Sequence, residues 1–171
     1  MKRILVVVDM QKDFVDGALG TKEAVAILPA VAERIRSFHG DEIIVTYDTH
    51  SEGYLETLEG EKLPVVHCID GTAGHALDVV VAEALADKTY IPVKKYTFGT
   101  FEIAEQLKVR YPEENLAFEV LGLCTDICVV SNALILRAAF PNAPITVPAA
   151  CCAGVTPASH EAALTTMAMC Q

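Results

Sequence analysis

Three polar side chains of kinds that can do chemistry stand where apolar segments of the chain end. Asp9 follows five apolar residues, Lys95 closes a short apolar run, and Cys128 comes soon after a run that ends at Gly122. A buried carboxylate or ammonium is costly unless it is paired. A carboxylate can take the proton of a thiol while an ammonium holds the resulting thiolate. The three residue types therefore predict nucleophilic catalysis by Cys128, with Asp9 as general base and Lys95 as stabilising cation.

Each of these residues also has a plain structural interpretation. Asp9 could bond loop amides, Lys94 or Lys95 could be a solvated strand end, and a cysteine is often just a small buried apolar residue. Position distinguishes Cys128 from the other cysteines. If Asp126 caps a helix, Cys128 lies in its first turn, where the helix dipole and free amides lower the pKa of a thiol and can face an oxyanion.

The elements that must hold these side chains alternate between strand and helix. Short apolar runs predict strands at residues 4–8, 43–47, 90–93, 117–121 and 145–147. Apolar residues at helical spacing predict helices within residues 28–38, 77–85, 101–107, 126–137 and 163–167, with Pro29 in a first turn. This alternation predicts one α/β domain, residues 1–171, with a doubly wound, mostly parallel sheet covered by helices on both faces, a Rossmann-like three-layer fold.

Composition and charge narrow the class of protein. The net charge of −10 and the lack of a basic patch argue against nucleic-acid binding. No apolar segment approaches the length of a membrane span. The apolar run near the N-terminus has only five residues, too few for the core of a signal peptide. We therefore expect a cytoplasmic protein whose six cysteines stay reduced.

Three ordered stretches carry a resemblance to a known family. Residues 9–14, 95–101 and 122–130 resemble the signature segments of the isochorismatase-like cysteine hydrolases, a superfamily that includes the nicotinamidases. The resemblance covers nearly the whole chain. It implies an Asp9–Lys95–Cys128 triad, in which Lys95 rather than Lys94 matches the family lysine. It also implies a cis peptide between Leu123 and Cys124 and an oxyanion hole formed by the amides of Cys124 and Cys128.

The resemblance extends to a metal site in a long segment, residues 49–74, for which no secondary-structure element is predicted. Asp48, His50 and His67 match the ligands of nicotinamidases, and Glu59 is the best-spaced fourth ligand. Without the resemblance, two histidines this far apart are weak evidence for a metal. A carboxylate and two imidazoles suit a divalent metal, zinc first and iron or manganese as alternatives.

The substrate pocket departs from the family pattern. Nicotinamidases commonly place a tryptophan shortly before the His-Cys pair, but this chain has no tryptophan, and Leu63 occupies that neighbourhood. We expect Phe14, Tyr96 and Leu123 to form the substrate-binding surface, with the aromatic rings available for stacking.

The resemblance implies hydrolysis of a small carboxamide through a thioester, nicotinamide to nicotinate and ammonia being the first choice, by an enzyme that forms a homo-oligomer. One alternative is a family hydrolase of another small amide, such as a carbamoyl or ureido compound, with no metal. The other is a non-catalytic binding or redox-sensing protein, for which a general base would have no use.

Overall fold

The computed structural model describes residues 1–112 and 115–171. Its centre is a six-stranded sheet with the order β3-β2-β1-β4-β5, in which β6 also pairs with β4. All five strand pairings are parallel. The strands are β1 (Lys2–Val8), β2 (Glu42–Asp48), β3 (Ile91–Lys95), β4 (Leu116–Leu123), β5 (Ile145–Thr146) and β6 (Cys152–Ala153). The predicted doubly wound α/β fold is confirmed.

Seven α-helices lie within the described ranges. They are α1 (Lys12–Val15), α2 (Lys22–Ser37), α3 (Leu58–Lys62), α4 (Val79–Leu85), α5 (Glu102–Arg110), α6 (Val130–Ala139) and α7 (Pro157–Met169). Helix α2 packs against α4, whereas α6 packs against α5 and α7. None of these helices is both long enough and apolar enough to cross a membrane.

Two predictions about the helices were wrong. Helix α2 begins at Lys22, where the Thr21 side chain accepts a hydrogen bond from the Ala24 amide, so Pro29 lies inside the helix rather than in its first turn. The segment 49–74 contains a 3₁₀ turn at Tyr54–Glu56 and helix α3. Helix α3 lacks a periodic apolar face, so the spacing of apolar residues does not predict it. A Thr57 cap and close packing of Gly60 on the Tyr54 carbonyl hold it in place.

The core explains why the central strands read as continuous apolar runs. Residues 4–8 of β1 and 43–45 of β2 are all buried, because helices cover both faces of a parallel sheet. The parallel direction brings the carboxyl ends of the strands to one edge. Asp48 at the end of β2 pairs in register with Lys95 at the end of β3. Asp9 directly follows β1 at the same edge.

One glycine allows β1 and β4 to approach closely just before the site. Gly122 has φ +123°, and a Cβ there would lie 2.1 Å from the Val8 carbonyl oxygen. Gly71 also has a positive φ, +78°, but nothing lies within 4 Å of the position that its Cβ would take. A substitution at Gly71 would therefore introduce backbone strain alone, whereas one at Gly122 would introduce both strain and a steric clash.

We predict that Gly122→Ala lowers the free energy of unfolding by about 2–4 kcal/mol, since it adds a backbone clash to an unfavourable φ. The matched variant Gly71→Ala should cost only about 1 kcal/mol, because it adds strain without a clash. Urea unfolding of both variants checks this. Equal destabilisation of the two would contradict the packing argument.

Candidate active site

The three residues predicted to form the triad lie together in the structure. The Lys95 ammonium is 2.7 Å from Asp9 Oδ2 and 3.4 Å from Cys128 Sγ. All three side chains are buried, and that of Lys95 is only 1% exposed. A lysine ammonium held among anionic and polarisable groups in this way stays charged, so the cluster presents a fixed positive centre beside the thiol.

Asp9 is held by a residue that the sequence analysis missed. Its backbone takes a φ of 47°, and its amide donates to the Thr46 hydroxyl oxygen at 3.2 Å. That hydroxyl donates in turn to Asp9 Oδ1 at 2.6 Å. Thr46 is fully buried and directly follows three buried apolar residues of β2. A lone hydroxyl in such a strand was the signal that could have identified it.

Cys128 lies in a π-helical turn, Thr125–Val129, that leads into α6. The predicted cap was wrong: Cys124 occupies the N-cap position, and the Asp126 carboxylate instead accepts the Val155 amide at 3.1 Å. The expected cis peptide between Leu123 and Cys124 is present. The Cys128 carbonyl accepts a hydrogen bond of 2.8 Å from the Asn132 side chain, which fixes the turn against α6.

Burial changes the expected electrostatics of the thiol. Burial, with the Asp9 carboxylate, raises the pKa of Cys128 well above its usual value, although Lys95 opposes this shift. The prediction of a lowered thiol pKa was therefore wrong. Burial also raises the pKa of Asp9, again against the attraction of Lys95. The resting site accordingly holds a neutral thiol beside a carboxylate that accepts a proton readily.

The predicted metal ligands form a second cluster. One ligand atom from each of Asp48, His50 and His67 lies within 4.8 Å of the others. Asp48 Oδ2 is 2.9 Å from His50 Nε2 and 3.6 Å from His67 Nε2. Glu59 Oε1 lies 3.7 Å and 3.8 Å from the same two nitrogens.

The orientation of His67 suits metal binding. Its Nδ1 is 2.8 Å from the Val65 carbonyl oxygen, which can only accept, so Nδ1 carries the proton and Nε2 is left with a lone pair. Two imidazoles with one or two carboxylates are a donor set that fits a divalent transition metal.

Lys95 joins the two clusters. Its ammonium also contacts Asp48 Oδ1 at 2.9 Å, so one cation is shared between the Asp9 and Asp48 carboxylates. Burial disfavours ionisation of Asp48, but the His50 and His67 imidazoles beside it and the charge of Lys95 outweigh it and hold the pKa of Asp48 below its usual value. Asp48 is therefore ionised, as a carboxylate must be in order to bind a metal.

A mostly apolar cavity of about 130 Å³ opens onto both clusters. Phe14 and Leu123 line it as predicted, but Tyr96 does not and is 73% exposed. Phe98, in the bend that follows β3, lines the cavity instead. Leu63 also lines the cavity, at the position expected from the missing tryptophan.

The parallel α/β sheet brings a thiol, a carboxylate and an ammonium together beside an apolar cavity. This combination of fold and site is that of a hydrolytic enzyme with a cysteine in its site. The family model described as the isochorismatase domain matches residues 3–171, and the chain belongs to the isochorismatase family. It lies in the nicotinamidase-like branch of that family and is a hydrolase of amide bonds.

Three similar proteins illustrate the match. The chain is 28% identical over 144 residues to the isochorismatase family protein PncA of Bacillus subtilis, covering 78% of each chain. It is 28% identical to the pyrazinamidase/nicotinamidase of Streptococcus mutans, with a TM-score of 0.83, covering 96% of this chain and 94% of that one. It is 26% identical to the pyrazinamidase of Pyrococcus horikoshii, solved in complex with zinc, with a TM-score of 0.82 over 99% and 96% of the chains.

We predict that Lys95→Met lowers the free energy of unfolding by about 3–5 kcal/mol, because it leaves two buried carboxylates without their cation. Lys94 is the matched control, since it is exposed and pairs with Asp70 at the surface. Lys94→Met should leave the urea midpoint close to that of the wild type. Equal destabilisation by the two variants would show that the Lys95 ammonium does not stabilise the fold through the buried Asp9 and Asp48 carboxylates.

Proposed function

We propose that this enzyme hydrolyses a small neutral carboxamide through a thioester on Cys128, with nicotinamide as the first candidate substrate. The observation that carries the proposal is the placement of the Cys128 thiol in the cavity wall, 3.4 Å from an ammonium that is itself paired with Asp9. The similarity to nicotinamidases and pyrazinamidases of about 25–28% identity supports the choice of substrate.

The first step moves a proton without changing the net charge of the site. Asp9 takes the thiol proton as the sulfur attacks the carboxamide carbon, so the negative charge passes from carboxylate to sulfur to substrate oxygen. Lys95 stays in contact with both Asp9 and the sulfur throughout. Free ionisation of Cys128 is costly because of burial and the two nearby carboxylates, whereas this concerted transfer avoids placing a third anion there.

The remaining steps return the proton and release the acid. The backbone amides of Cys124 and Cys128 hold the tetrahedral oxyanion. Asp9 gives its proton to the departing nitrogen, the carbon–nitrogen bond breaks, and ammonia leaves the thioester behind. Water then attacks the thioester carbon while Asp9, again a carboxylate, takes one of its protons. The carbon–sulfur bond breaks, Asp9 returns this proton to the sulfur, and the carboxylic acid leaves.

Asp48, His50, His67 and Glu59 would hold a divalent metal, with zinc as the first choice. Bound there, the ion supplies a Lewis-acid position that can orient a ring nitrogen of the substrate. The Nδ1 contact of His67 with Val65 and the shared cation at Asp48 prepare these residues for that role. The zinc complex of the Pyrococcus horikoshii relative supports this assignment.

The charge of the cavity wall favours a neutral substrate. Among the described residues, the lining contains the acidic side chains of Asp48 and Glu59 and no lysine or arginine. In the metal-free alternative, an amide that also bears a carboxylate would find no counter-ion there and would face two acids. This observation argues against a metal-free enzyme for carbamoyl or ureido acids.

We also propose that the protein is a cytoplasmic homo-oligomer built from one domain, residues 1–171. All six cysteines are free, which suits a reducing compartment. Within the part of the chain that the structure describes, the buried apolar side chains form one cluster, which supports one folding unit.

Cys128→Ala should lower the rate of ammonia release from nicotinamide by about a thousand-fold or more, because no other group replaces the attacking sulfur. Cys170, the exposed cysteine near the C-terminus, provides the control, and Cys170→Ala should retain the wild-type rate. Unchanged release by Cys128→Ala would exclude a thioester on this cysteine, whereas no ammonia release by the wild type would favour the non-catalytic binding or sensing alternative.

We expect the purified enzyme to contain about one equivalent of a divalent transition metal, and His67→Ala to lose most of it, since one of two imidazole ligands is gone. His39→Ala is the matched control, because His39 is exposed and outside the cluster. Elemental analysis by mass spectrometry measures both. Full amidase activity in wild-type protein without metal would favour the metal-free alternative.

A further inference from the structure

The Gln11 side chain forms hydrogen bonds with both the backbone amide and the backbone carbonyl of Asp48. Its Oε1 accepts the Asp48 amide at 2.8 Å, and its Nε2 donates to the Asp48 carbonyl at 2.9 Å. The same Nε2 donates to the His75 carbonyl at 2.9 Å. Gln11 is fully buried, so none of these bonds competes with water. The mechanism above gives this residue no task.

The Asp13 carboxylate holds the residue that follows His67. Asp13 Oδ2 accepts the Cys68 amide at 2.8 Å. Cys68 has a φ of 46°, a left-handed conformation that a non-glycine residue adopts only when its surroundings enforce it. The Cys68 carbonyl accepts a hydrogen bond of 2.9 Å from the His50 amide. Asp13 therefore holds a residue that follows His67 in the chain and is bonded to His50.

Gly74 confines the Asp13 carboxylate to this position. The Asp13 amide donates to the Gly74 carbonyl at 3.1 Å. A Cβ on Gly74 would lie 2.1 Å from Asp13 Oδ2, so any larger residue there would displace the carboxylate. The arrangement offers a way to move Asp13 without altering its chemistry.

We propose that Gln11 and Asp13 are positioning residues that set the geometry of the Asp48–His50–His67 cluster for its metal. Gln11 fixes the carboxylate ligand, and Asp13 fixes the histidine pair through Cys68. One short segment therefore supplies three functional side chains: the general base Asp9 and the positioning residues Gln11 and Asp13. The inference rests on the metal site of the proposed function.

The test measures metal affinity in the absence of substrate. Zn²⁺ is titrated against a chromophoric chelator, and Co²⁺ absorption reports ligand geometry, for Gln11→Met, Asp13→Ala and Gly74→Ala. We expect each variant to bind Zn²⁺ about 10- to 100-fold more weakly and to change the Co²⁺ spectrum. The matched controls are Gln106→Met at a half-buried position, Asp16→Ala at an exposed one and Gly53→Ala at one with room for a Cβ; they lie outside the cluster and should stay within about two-fold of the wild type.

Two further readouts separate positioning from general loss of structure. Asp13→Asn keeps a side-chain oxygen that can accept the Cys68 amide, so it should recover most of the affinity that Asp13→Ala loses. Hydrogen exchange of metal-free protein should be faster at the Asp48 amide in Gln11→Met and at the Cys68 amide in Asp13→Ala, with exchange of β1 and β4 unchanged.

Wild-type Zn²⁺ affinity and an unchanged Co²⁺ spectrum in these variants would overturn the inference. So would exchange that rises uniformly across β1 and β4. A wild-type protein that binds no metal yet releases ammonia through Cys128 would overturn the inference while leaving the thioester route intact. Conversely, the expected affinity losses in a protein without amidase activity would uphold the inference and reject only the proposed reaction.

Discussion

The site depends on one buried cation. The Lys95 ammonium lies 2.7 Å from Asp9 and 2.9 Å from Asp48, at a place where none of the three side chains has appreciable contact with water. Neither carboxylate could stay ionised there alone. The parallel register that sets Asp48 beside Lys95, and the positive φ that turns Asp9 toward them, both serve this contact.

A shared cation couples the two halves of the site. In the mechanism that we propose, the ammonium that stabilises sulfur and Asp9 during attack also neutralises Asp48, a member of the cluster that orients the substrate. Because burial raises the pKa of the thiol and of Asp9, the proton in this mechanism stays on Cys128 until a substrate carbonyl is available to take the charge. The resting thiol is therefore protected from free ionisation, and the base is kept ready to accept its proton.

The sequence predicted what depends on local pattern. Polar residues directly after apolar runs marked Asp9 and Lys95, because a parallel sheet buries its strands and exposes their carboxyl ends at one edge. Other features depend on distant neighbours. Cys128 was expected to have a low thiol pKa from its helix turn, but burial decides the opposite. Tyr96 was expected in the cavity, yet it is exposed and Phe98, two residues later in the same bend, lines the cavity. Helix α3 rests on capping and on packing against Tyr54, which residue periodicity does not show.

The most direct test of the account is to trap the acyl group during turnover. Enzyme and nicotinamide are mixed, quenched in acid within the first turnovers, digested and examined by mass spectrometry. The account predicts a nicotinoyl thioester on the peptide that contains Cys128, and its loss when hydroxylamine is added. A nicotinoyl group on a different residue, or steady ammonia release with neither a thioester nor a hydroxamate product, would contradict it.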